Sequence, residues 1–272
     1  MNSLKNIKSL MNWVLAGSLI GLTVAILKWL FDWDSTVANI VLFGGAGLLV
    51  TAIFVLQFVQ YQKIKSMLKD YMILLQSGEI EQYIEKVRES IEKTKPKHYK
   101  DIHRMNLATG YSYLGQFDQA INQLRIIYES SKSATKTSVF SLINIAYYYI
   151  QMGEVDKAEK LMRSLMNDPK ILEKDPQINF LFHINHAYIQ MKKKNKESLK
   201  EYLDKASLIQ RSFGSGDIEI TKLNIEVALF NKNFDQARQW INEFKSLDLP
   251  PFETQWISEF EKKVVGANQH LK

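Results

Sequence analysis

Two stretches without a charged side chain, residues 9–27 and 35–62, open the chain, and beyond them apolar positions recur every three or four residues. A helix needs roughly 20 mostly apolar residues to cross ~30 Å of hydrocarbon. The pattern therefore predicts an N-terminal transmembrane helical hairpin in residues 1–62, with spans about 10–30 and 38–60. Lys5 and Lys8 also give the first stretch the basic leader of a signal peptide. No A-x-A-like cleavage site follows it, however, and Lys28–Asp34 leads straight into a second apolar span. Lys5 and Lys8 before the first span and Lys63, Lys65 and Lys69 after the second place both termini in the cytoplasm, by the positive-inside rule. The expected location is the cell membrane, with two spans. Trp13, Trp29, Trp33 and Tyr61 lie near the expected interfaces. Gly17 and Gly21 form one small-residue face, and Gly44, Gly45 and Gly47 thin the other helix. Such faces pack the hairpin against itself or join two copies as a homodimer.

The remainder, residues 63–272, reads as helical hairpins in series. Leu142, Ile145, Ala146, Tyr149 and Ile150 precede a turn at Gly153, and Val155, Ala158, Leu161, Met162 and Leu165 follow it, all at helical intervals. The turn recurs: Gly78-Glu-Ile-Glu-Gln-Tyr83, Gly115-Gln-Phe-Asp-Gln-Ala120, Gly153-Glu-Val-Asp-Lys-Ala158, Lys194-Asn-Lys-Glu-Ser-Leu199 and Lys232-Asn-Phe-Asp-Gln-Ala237, at intervals of about 38 residues. Gly115 and Gly153 stand where a helix ends in a left-handed residue. Ala108 and Ala120, Ala146 and Ala158, Ala187 and Ala206, and Ala237 are placed for close helix contact. One hairpin cannot bury its apolar stripe alone, so each stacks on the next. No Gly or Pro falls between Gly47 and Gly78, and Ile64, Met67, Leu68, Tyr71 and Leu75 carry a helical stripe through the joint. At the other end Pro250 and Pro251 stop the fourth unit. Phe252, Trp256, Phe260 and Val264 then predict a C-terminal capping helix. The predicted fold class is all-α: a two-helix hairpin followed by an α-solenoid.

Ala108-x-x-Tyr111-x-x-x-Gly115-x-Phe117-x-x-Ala120 and Ala146-x-x-Tyr149-x-x-x-Gly153-x-Val155-x-x-Ala158 resemble the tetratricopeptide repeat (TPR) signature. The third unit keeps Ala187 and Ala206 but has Lys194 and Lys196 at the glycine and aromatic positions. The fourth keeps Phe234 and Ala237 but has Ile225 and Lys232 at the small and glycine positions. The resemblance covers about residues 66–250, with units longer than the family's usual 34 residues. It implies a concave face built from the first helix of each unit, with Thr109, Tyr113, Tyr147, Gln151, Tyr188 and Lys192 facing inward. This set departs from the family's lysine-rich carboxylate clamp, which Asn144 and Asn185 only partly echo. The packing alternative is that Tyr147 and Tyr188 fill space between helices.

Charge and chemistry narrow the reading. Of the net charge of +6, nearly all falls after residue 62, modest for that length and short of a nucleic-acid binder. Lysine outnumbers arginine 29 to 6, the usage of an AT-rich bacterial gene. With no cysteine there are no disulfides, thiolate metal sites or lipidated thiols. His183 and His186 lie three apart on a predicted helix, but zinc needs a third ligand and no H-E-x-x-H occurs. No nucleophile elbow, Walker sequence or dinucleotide fingerprint is present. Neither an enzyme nor a cofactor is expected. The lysines at 192, 193, 194, 196 and 200, and at 93, 95, 97 and 100, read as solvated turns, with inner-leaflet lipid or an acidic partner as the functional alternatives. The expected function is a membrane-anchored adaptor or scaffold that docks a protein or peptide partner, with the bilayer itself held by residues 1–62 and no nucleic acid. The alternative is a regulatory receptor whose groove binds a short peptide signal.

Overall fold

The computed structural model describes residues 34–131, 135–166, 170–213, 216–247, 249 and 253–264 (except 255, 259 and 263), together with residues 23, 25, 26, 28 and 29. Among them every regular element is helical. Two compact units divide the chain, residues 1–69 and 70–272. In the first, Thr23, Ala25, Ile26, Lys28 and Trp29 are helical; the rest of the first predicted span, with its glycine pair, lies outside the described residues. Helix α1 runs over Ser35–Gln76. Asp34 starts it, its carboxylate accepting from the amides of Thr36 at 2.7 Å and Val37 at 2.9 Å. Among the described residues one helix is long and apolar enough to cross a membrane, over Phe43–Gln76. Its large side chains, Phe43, Leu48, Phe54, Leu56 and Phe58 among them, are exposed. The two-span hairpin expected from the sequence is thus represented by a single candidate span.

The second unit is a series of antiparallel helix pairs. The end of α1 pairs with α2 (Ile80–Lys93), α3 (Lys97–Tyr113) with α4 (Phe117–Glu129), and α5 (Lys136–Gln151) with α6 (Val155–Met166). A five-residue helix, α7 (Lys170–Lys174), precedes the pair α8 (Pro176–Lys192) and α9 (Lys196–Phe213), and α10 (Asp217–Phe230) pairs with α11 (Phe234–Lys245). The described residues from 253 to 264 are helical, where the capping helix was expected.

All five turn positions hold the left-handed conformation: Gly78 at φ 77°, Gly115 at 69°, Gly153 at 81°, Lys194 at 60° and Lys232 at 57°. Each closes the same pair of bonds. At Gly153 the amide of Glu154 reaches the carbonyl of Tyr149 at 2.8 Å, and that of Gly153 reaches Ile150 at 3.1 Å. At Lys194 the amides of Asn195 and Lys194 reach Gln190 at 3.0 Å and Met191 at 3.1 Å. This is the Schellman closure, which satisfies carbonyls the helix end leaves free. Where lysine replaces glycine, the next residue is asparagine, and its side chain caps the following helix: Asn195 accepts from Ser198 N and Asn233 from Gln236 N, both at 3.2 Å. The repeat register read from the sequence is therefore the register of the fold.

The small residues mark where helices meet. Ala108, Ala120, Ala146, Ala158, Ala187, Ala206 and Ala237 have no exposed surface. Ile225 stands in the fourth small position and is equally buried. Gly110 adds a contact the repeat pattern does not include: a Cβ there would meet Ile84 and Tyr83 at 2.7–2.8 Å, so α3 approaches α2 closer than any other residue allows. One apolar cluster runs through α5, α6, α8, α9 and α10, and a second joins α10 and α11 to Ile257 and Val264. Trp256 lies 4.2 Å from Phe260 and 5.4 Å from Phe244, ring centre to ring centre, and Lys245 pairs with Glu261. The C-terminal helical residues thus cover the apolar edge of α11, as a solenoid's last element must.

Candidate functional site

A cavity of about 520 Å³ opens on the face made by the first helices of successive pairs. Helix periodicity accounts for it. Thr109 and Tyr113 are four apart on α3, Asn144, Tyr147, Tyr148 and Gln151 follow one stripe of α5, and Leu181, Ile184, Asn185 and Tyr188 follow one stripe of α8. Ile218, Glu219 and Lys222 continue it on α10, and Glu253 and Trp256 close it from the C-terminal helical residues. Five of the six residues expected to face inward line this cavity: Thr109, Tyr113, Tyr147, Gln151 and Tyr188. Lys192 does not. It is the last residue of α8, a full turn past Tyr188, and its side chain is exposed to solvent.

The tyrosines pack as well as line. Tyr188 is 3 % exposed, its ring meets that of Tyr147 edge-on at 6.1 Å, and its hydroxyl donates to Glu226 Oε1 at 3.3 Å. Its phenol is held well above the usual range, first by burial and then by the carboxylate of Glu226. Tyr113 and Tyr147 are pushed up too, chiefly by burial, with carboxylates as a further cause. Glu253 and Glu219 act on both rings, and Glu226 on Tyr147. Gln151 is exposed, while Thr109, Tyr113 and Tyr147 are partly so. The packing alternative therefore holds for Tyr188, whereas Thr109, Tyr113, Tyr147 and Gln151 keep accessible surface in the lining.

The two asparagines are committed elsewhere. Asn185 Nδ2 donates to the carbonyl of Ile143 at 2.8 Å, tying α8 to α5, and Asn144 Nδ2 donates to Phe140 O at 3.0 Å. Each thus spends an amide proton on a backbone carbonyl of the array, and neither repeats the lysine-rich clamp.

Charged groups at the far wall were not among the expected site residues. Lys222 pairs with Glu253 at 2.8 Å and sits 4.6 Å from the centre of the Trp256 ring. This pair is largely buried, 18 % and 9 % exposed at the side chains. The sequence register points instead to Glu226, which meets the Tyr188 hydroxyl and is not in the lining. Counting six residues back from each turn position gives Thr109, Tyr147 and Tyr188, and in the fourth unit it gives Glu226. Ile225 at the small position hid that register.

His183 and His186 face away from the cavity, between α8 and α9. His186 stacks on Tyr202 at 4.7 Å and 13°, and Phe182 lies 4.5 Å from it. Burial lowers both imidazoles to about 4. Among the described residues no group of three or more His, Asp or Glu is placed to hold a metal ion.

No family model matches the chain, and no curated protein matches it. Solved structures do. PlcR of Bacillus thuringiensis in its apo form superposes with a TM-score of 0.59 at 14 % identity, covering 80 % of this chain and 82 % of PlcR. PlcR in complex with the peptide PapR7 and DNA superposes with a TM-score of 0.52 at 12 % identity, over 75 % of this chain and 74 % of PlcR. A tetratricopeptide repeat protein from Parabacteroides merdae shares 12 % identity over 75 % of this chain and 99 % of its own, with a TM-score of 0.35. At such identities the likeness to PlcR speaks for architecture alone. With the five left-handed turns and the buried alanines, it establishes an all-α, TPR-like helical repeat fold.

Proposed function

We propose that this protein is a regulatory receptor in which the cavity of the repeat array binds a short peptide. The carrying observation is the cavity itself, which draws side chains from four successive first helices and the C-terminal helical residues. Its volume lies in the range of small-ligand sites, and its lining mixes aromatic faces with a few polar groups, the composition that binds and orients a ligand. Because the wall comes from several units, a ligand that touches all of them favours one curvature of the array. PlcR, of similar fold, was solved with a peptide, which supports this reading over a passive scaffold. The DNA in that complex is PlcR's, and a fold shared at 12 % identity carries no nucleic-acid partner over to this chain.

Membrane attachment belongs to the same proposal. Residues 1–62 anchor the array at the cytoplasmic face, where it would also serve as a docking adaptor. The exposed large apolar side chains of α1 between Phe43 and Val59 support this, because a helical stretch that leaves such side chains uncovered is stable in lipid rather than in water. A topology reporter fused after Lys272 should be active only in its cytoplasmic form; cleavage of residues 63–272 by protease outside intact cells rejects the anchor as drawn.

The receptor reading is tested with the full chain in lipid nanodiscs and a labelled pool of random heptapeptides, followed by fluorescence anisotropy. Thr109→Trp adds a bulky ring at a half-buried position of the lining and should abolish binding, with a melting curve checking that the fold is kept. A pool that does not bind, or one that binds the filled variant equally well, rejects the cavity as a peptide site.

A further inference from the structure

The chain is basic overall, yet its cavity is not. Lys222 is the one cation among the described residues that line it, and its charge is already met by Glu253 at 2.8 Å and by the face of Trp256 at 4.6 Å. A ligand carboxylate would have to displace a largely buried partner to reach it, leaving Glu253 without a counter-ion at large cost. Glu219 stands one turn before Lys222 on α10, lines the same cavity and is exposed. It makes no hydrogen bond or ion pair with any described residue. One turn beyond Lys222, Glu226 sits behind Tyr188 and accepts from its hydroxyl. Glu219, Lys222 and Glu226 therefore share one stripe of α10, and only the middle one is positive. Glu219 and Glu253 also help raise the phenols of Tyr113 and Tyr147, on other helices of the lining, after burial.

We infer that the cavity selects a peptide carrying a positive group, a lysine or arginine side chain or a free amino terminus, received by the Glu219 carboxylate between the Tyr113 and Tyr147 rings. This rests on the receptor reading above and specifies its ligand. Three features meet the needs of such a group: an exposed carboxylate without a partner among the described residues, tyrosine rings in the same lining, and a single described cation that is already neutralised. An ammonium or guanidinium is attracted to the face of a tyrosine ring as well as to the carboxylate. A carboxylate ligand finds neither. The lysine-rich turns, exposed and outside the lining, would then steer such a peptide poorly, so binding should come from contacts within the cavity.

The experiment uses three labelled heptapeptide pools, acetylated, randomised over apolar residues and differing at one position that is Lys, Gln or Glu. Each is titrated against the full chain in nanodiscs of neutral lipid. The Lys pool should bind most tightly, and raising salt should weaken it most. Glu219→Gln should weaken the Lys pool about threefold or more, leaving the Gln pool unchanged. Glu219→Lys should reverse the order of the Lys and Glu pools. Glu219 is exposed, so neither substitution threatens the fold, and a melting curve checks that. Equal binding of all three pools, abolished by Thr109→Trp, overturns the charge selection and keeps the peptide receptor. Tighter binding of the Glu pool by the unaltered protein overturns the charge selection likewise. Binding of no pool overturns both.

Discussion

Lysine at a left-handed turn costs stability that glycine does not, since its Cβ crowds the backbone there by roughly 1 kcal/mol or more. Lys194 at φ 60° and Lys232 at 57° pay that cost, partly offset by the asparagine caps that follow. Lys194→Gly and Lys232→Gly should each raise stability by about 0.5–1 kcal/mol in denaturant titrations. The gain is limited because glycine also loosens the unfolded chain. The reciprocal change, Gly153→Ala, has open space around its Cβ, so any loss measures backbone strain alone. Gly110→Ala should cost more, since its Cβ would meet Tyr83 and Ile84 within 3 Å. If Gly110→Ala proves the milder of the two, the close approach of α2 and α3 is wrong.

Between elements, the alanines set the spacing. Ala158 is wholly buried where α6 meets its neighbours, and Ala158→Leu should overpack that contact by about 1–3 kcal/mol. An unchanged melting temperature would argue against the register. The contact of α8 with α9 carries a different signature, because His186 is buried and His183 partly buried there, and burial lowers both imidazoles to about 4, against 6.5 when exposed. Their lowered values mean that the unfolded chain binds protons first. The stability they leave intact is complete above about pH 6.5 and is lost as pH falls toward 4. Melting temperature should therefore decline over that window, less so in His186→Phe, whose aromatic ring retains the stack on Tyr202. A variant with the same pH slope as the parent would show that other groups cause it.

At the scale of the whole molecule, packing and binding separate by residue. Tyr188 is buried, so Tyr188→Ala should cost about 3–5 kcal/mol of stability, as large-to-small core changes do. Gln151→Ala, at an exposed edge of the cavity, should leave stability within about 0.5 kcal/mol and act on peptide binding if it acts at all. Thermal melts and pool titrations on the same preparations give both numbers. Lys192→Glu, outside the cavity lining, should change neither; a loss of binding there would extend the site along α8.

The helical class, the turn positions and the packing alanines were legible in the sequence because each follows from local physics: a period of 3.6, a residue that tolerates positive φ, a side chain small enough for two helices to touch. Five cavity residues followed as well, since the TPR-like register fixes which face of a first helix turns inward. The sequence alone did not reveal that Tyr188 is buried, that Lys192 falls beyond the lining, or that Glu253 comes back to neutralise Lys222 from 31 residues away. Those facts depend on how far each helix runs and where the last one folds back, which are settled by contacts between distant residues. The cavity's sign of charge is of that kind. It emerges from which carboxylates the fold brings together and which cation it spends on one of them.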